Sequence, residues 1–219
     1  MFSVETGKKI AITGFVLSLL TYFGGVALNV ILTATGLSGL DYQSAMEVYS
    51  EIARIVNLFY SCGYLLSHAL AAFGFLCMYM EDREMLLLLT SGSLGVAALP
   101  YLFSIFGADI SALGIAQSIA DEGVILAIIY FFILAIYSSY VALFAAHSFK
   151  IGNAIFGVIL VLVFIWNTFG SFAINLVQAN ANAYGTMAAS QTAVIIGIVG
   201  IISSIAIAIV KIIHTAKNY

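Results

Sequence analysis

His68 is the one imidazole deep inside an apolar stretch, and Tyr64, Ser61 and Asn57 precede it at intervals of four, three and four residues. On an α-helix those intervals put all four side chains on one face. An imidazole changes charge near neutral pH, so a polar stripe that ends on one has the makings of a binding or proton-handling site. Asn167, Ser171, Asn175 and Gln178 form a second stripe at helical spacing, and Ser18, Tyr22, Asn29 and Thr33 a third. Such groups are costly against lipid, where no water satisfies them. The residues expected to form a site are therefore Asn29, Asn57, Ser61, Tyr64, His68, Asn167, Ser171 and Asn175, around a polar vestibule open to the extracytoplasmic side, with His68 and Asn167 at its base. The competing reading is structural: the same amides and hydroxyls bond one another across helices, at ~0.6 kcal/mol per pair.

Other chemistry finds less support. No His-Glu-x-x-His zinc motif and no pair of intramembrane aspartates occur. A serine nucleophile in "TSGSLG", residues 90–95, would need a base within hydrogen-bond reach, and only His68 lies near that depth. His147 and His214 fall at helix ends, where imidazoles commonly meet headgroups or terminal carbonyls, so no haem or other cofactor is expected. Cys62 and Cys77 are fifteen positions apart on one helix, about 22 Å, too far for a disulfide. The chain is expected not to be an enzyme.

The elements that hold these residues follow from composition. The 219 residues are 63% hydrophobic and 8% charged, with a single proline and a mean hydropathy of +1.14. A soluble domain carries about 25% charged residues, so lipid is the solvent expected here. Charges cluster between six apolar stretches, 10–35, 54–80, 85–107, 124–147, 152–178 and 190–213, each able to cross a hydrocarbon core that takes about 20 helical residues. Runs such as "VILAIIYFFILAIY" are apolar on every face rather than alternating, which excludes a β-barrel. The expected fold is all-α: one integral membrane domain, 1–219, built as a bundle of six transmembrane helices.

Lysine and arginine orient it. With the N-terminus inside, inner segments carry Lys8, Lys9, Arg83, Lys150, Lys211 and Lys217, and outer loops only Arg54. Both termini are thus expected on the cytoplasmic side of a cell membrane. The first stretch, at about 24 residues, exceeds the 7–15 of a signal h-region and reads as an uncleaved helix.

Outside the spans, "LDYQSAMEVYSEIARI" has helical periodicity with Ser44 and Glu47 as a capping box, and "ADISALGIAQSIADEG" has it less regularly. Thr90–Gly95 followed by Pro100 marks the third span as the one to kink or break, since proline removes a backbone donor. "FGGVALNV" at 23–30 returns as "FGSFAINL" at 169–176; the match reads as shared packing chemistry rather than duplication. Small residues let membrane helices approach closely, and Gly63, Ser67 and Ala71, like Gly200, Ser204 and Ala208, supply such faces. Expected partners are the lipid bilayer and, through these faces, further copies of the chain or other membrane subunits, but no nucleic acid.

Overall fold

The computed structural model describes residues 3–39, 41–106, 124–170, 173 and 187–219. Six α-helices form among them: α1 Val4–Gly36, α2 Tyr42–Asp82, α3 Met85–Ile105, α4 Val124–Lys150, α5 Ala154–Ile165, continued by a π-helical turn Trp166–Gly170, and α6 Met187–Asn218. Five contain stretches long and apolar enough to cross a membrane, while Ala154–Gly170 is a shorter apolar helix. The all-α bundle is as composition dictates, and the described helices are those of a multi-pass membrane protein. Large apolar side chains such as Leu20, Val30, Phe132, Ile155 and Ile202 face outward, the arrangement a lipid solvent favours.

The segment before the second span continues into it. At 41 residues, α2 is about 61 Å long, twice the ~30 Å of a hydrocarbon core, so its first turns, with Glu47 and the Glu51–Arg54 ion pair, stand clear of the apolar layer. Its cap is three residues earlier than the expected Ser44/Glu47 box: Asp41 accepts the Ser44 backbone N–H at 2.8 Å. That bond holds the exposed Asp41 carboxyl below the usual carboxylate range, so its stabilising contribution is present above the unfolded value near 3.9 and is lost as pH falls through the depressed one. Asp41→Ala is expected to fray the start of α2, seen as several-fold faster hydrogen exchange at Ser44 with the rest of α2 unchanged.

α1 and α2 pack antiparallel through small residues. Gly7 meets Gly74 and Met78, Gly14 meets Ser67 and Ala71, Thr21 meets Gly63, and Gly25 takes up the Tyr60 ring. The expected Gly63–Ser67–Ala71 face is therefore the α1 interface. The repeated octapeptide does not repeat a contact: Gly25 accommodates a ring from α2, whereas Gly170 accommodates Trp166 of its own turn.

α3 runs unbroken through Pro100, so of the kink or break expected in this span a break does not occur. Two of its serines tie it to neighbouring helices: Ser91 donates to the Ala72 carbonyl at 2.8 Å, and Ser93 pairs with Ser139 of α4. The irregular backbone lies instead at Trp166–Gly170. The α4–α5 connection turns on Gly152, whose φ of 78° suits glycine.

One end of the bundle gathers both ends of the described chain. Glu81 accepts the Val4 backbone N–H, Lys150 pairs with Glu84 at 2.7 Å, and Tyr219 stacks on His147 with centroids 4.1 Å apart. Above it sits a core of Phe15, Phe75, Leu87, Val141 and Phe144.

Candidate binding cavity

Between the helices, one step further along the bundle from the Phe15–Phe75–Phe144 core, lies a cavity of about 220 Å³. Five helices and the π-turn contribute to its wall: Ser18 and Tyr22 from α1, Tyr64 and His68 from α2, Tyr101 from α3, Tyr140 from α4, Asn167 from the π-turn, and Ala208 and Lys211 from α6. Drug-sized ligands occupy ~300–1,000 Å³, so this space fits a smaller molecule.

The second-helix stripe divides between the two readings. Its outer half is mortar: Asn57 and Ser61 both bond the Ser104 hydroxyl, at 3.4 and 3.0 Å, and Ser61 is buried. Its inner half lines the cavity. Tyr64 stacks between Tyr60 and Tyr101, and His68 packs against Tyr101 and edge-on to Tyr140. The His68 Nδ1 lies 2.8 Å from the Tyr64 carbonyl. A carbonyl oxygen only accepts, so the Nδ1 carries the hydrogen and the neutral ring keeps its acceptor lone pair on Nε2.

The other expected site residues separate in the same way. Asn167 is on the cavity wall, carried there by the π-turn whose Thr168 bonds Ser138 of α4 at 2.9 Å. Short π-helical segments inside α-helices are often found at functional sites. Asn29 is not in the site: it is exposed near the far end of α1 and accepts a bond from Thr33 at 3.3 Å. Ser171 and Asn175 lie outside the described residues, as do Gln178 and the second loop segment, 108–123. No contact between Trp166 and His68 occurs among the described residues, where the indole lies over Gly170.

Lys211 is the residue the sequence pattern misassigned. Counting by position puts it with the inner charges, seven residues from the end of α6, but its Nζ turns into the bundle, 4.9 Å from the Tyr140 ring centroid and 5.9 Å from that of Phe15. No carboxylate pairs with it among the described residues, whose ion pairs are Lys9–Glu5, Arg54–Glu51 and Lys150–Glu84. Cation–π attraction is worth ~0.5–2 kcal/mol, whereas a charge at the centre of a span costs at least ~2.5–3.5 kcal/mol. Lys211 is half-buried, so the two rings meet part of the cost of holding it there, and polar groups or water in the cavity supply the rest. Tyr101 and Tyr140 were likewise missed, because isolated tyrosines in an aromatic-rich chain look like packing.

His147 and His214 also depart from expectation. Rather than meeting headgroups, both are buried, with rings 5.8 Å apart, His214 stacked on Phe156 and its Nδ1 near Ser148 and Asn218. No cluster of three or more His, Cys, Asp or Glu able to hold a metal occurs among the described residues.

Fold and cavity together define a multi-pass helical membrane protein with an internal polar chamber. No family model matches the chain, and no curated protein or solved structure matches it either.

Proposed function

We propose that the chain is a small transporter of channel-like design, without enzymatic activity, whose substrate site is the cavity between Ser18, Tyr64, His68, Tyr101, Asn167 and Lys211. One observation carries this reading: a chamber to which five helices and the π-turn contribute is lined by hydroxyls, an amide, an imidazole and an ammonium, where a bundle built only for stability would be packed with apolar side chains. The cavity opens, in this reading, to the extracytoplasmic side of a cell membrane, with Lys8, Lys9, Arg83, Lys150 and Lys217 holding the opposite face in the cytoplasm.

A second reading has its own support. Asn57 and Ser61 on Ser104, Ser91 on the Ala72 carbonyl and Ser138 on Thr168 are closed interhelical bonds, the interlocking expected of a membrane scaffold or accessory subunit. Reconstitution separates the two. Liposomes containing the purified chain are expected to swell faster than protein-free liposomes in iso-osmotic solutions of some small solutes among lactate, nitrate, urea and glycerol. Identical swelling in all four would favour the scaffold.

A further inference from the structure

We infer that the cavity binds a small monovalent anion, a short carboxylate or an oxyanion of similar size, with Lys211 as its charge partner. The inference rests on the transporter reading only in taking the cavity as reachable from water.

Charge comes first. Among the described residues Lys211 brings the one formal charge on the cavity wall, and no carboxylate among them answers it. A half-buried cation without such a partner attracts a counter-ion, and a single ammonium selects one negative charge over two. The rest of the wall suits the same guest. The phenol hydroxyls of Tyr22, Tyr64, Tyr101 and Tyr140, the Ser18 hydroxyl and the Asn167 amide can all donate hydrogen bonds, and among the described residues of the wall no carboxylate stands to repel an anion.

His68 adds a finer preference. Because its Nδ1–H is spent on the Tyr64 carbonyl, the neutral ring can only accept at Nε2, so it favours an anion that carries a hydroxyl of its own, as a 2-hydroxy acid does. The volume of about 220 Å³ limits the guest to a few heavy atoms. The shared chemistry could also be that of an anionic lipid headgroup reaching in between helices, but a chamber walled by five helices and the π-turn favours the freely diffusing ion.

Thermal unfolding in detergent tests this, with ionic strength held constant by a rigid naphthalene disulfonate too large for the chamber. Titration with sodium lactate and, separately, sodium nitrate is expected to raise the melting temperature saturably, by about 5 °C for at least one of them. Lys211→Met should lose that response while melting no lower than the parent, and Lys211→Arg should keep most of it. A response that survives in Lys211→Met overturns the assignment of Lys211. Stabilisation by phosphatidylglycerol with none by lactate or nitrate overturns the free anion. If neither anion acts but the thiol of a His68→Cys variant still reacts with a water-borne thiol reagent, the anion class is wrong and the transport reading survives. If position 68 is protected as well, both fall.

Discussion

Leucine at position 14 is expected to lower the melting temperature by about 10 °C, corresponding to roughly 3 kcal/mol in a chain of this size. A Cβ on Gly14 would lie 2.6 Å from the Ser67 carbonyl oxygen and 2.7 Å from the Ala71 nitrogen. Both are backbone atoms of α2 and cannot swing aside as a side chain would, so the two helices must separate. Separation costs more than one contact, because Gly7, Ala11, Thr21 and Gly25 depend on the same close approach. Association in lipid is driven by such packing rather than by the hydrophobic effect, and nothing offsets the loss. Gly14→Ala should show an intermediate drop, because its Cβ already meets the clash. Gly95→Ala is the control: nothing lies within 4 Å of its added Cβ, and alanine is the better helix former by ~1 kcal/mol, so its melting point should hold or rise. Equal effects at 14 and 95 would contradict the interface described.

Phenylalanine at position 208 is expected to do the opposite. Ala208 is buried on the cavity wall, and a phenyl ring directed inward takes up most of the free space. Cavity filling of this kind commonly adds ~0.5–2 kcal/mol of stability. Solute flux into proteoliposomes should fall at least tenfold in the same variant, since the guest and the ring compete for one space. The split matters more than either number. A variant that is as stable as the parent and dead in flux identifies the cavity as the route, whereas undiminished flux places the route elsewhere.

Fold class was legible because lipid imposes it: apolar runs on every face, punctuated by charge, leave little choice but helices. Where α2 begins was less legible, since a helix that outgrows the membrane keeps its periodicity, and only Asp41 marks its start. Pro100 marked α3 for a kink or a break, and the helix is not broken there. Proline costs one backbone bond, which a helix of 21 residues bears without interruption, and the serines at 91 and 93 tie α3 to its neighbours on both sides. The true irregularity, at Trp166–Gly170, has no proline to announce it. Of the candidate site, Tyr64, His68 and Asn167 were readable from spacing because polar residues at mid-depth are rare. Lys211 was not, because a lysine near a helix end ordinarily reaches outward to the headgroups, and only the packing of α6 against α1 and α4 turns it inward.

The central claim is that water reaches the chamber. With Cys62 and Cys77 replaced, single cysteines at 61, 64, 66 and 68 should be exposed to a membrane-impermeant thiol reagent from each side of the membrane in turn. The structure predicts fast reaction at 64 and 68 from one side, slow reaction at 61, where Ser61 is sealed against Ser104, and none at 66, where Leu66 is 53% exposed on the lipid-facing surface. Reaction at 64 and 68 no faster than at 66, from either side, would contradict it and leave the bundle a dry scaffold.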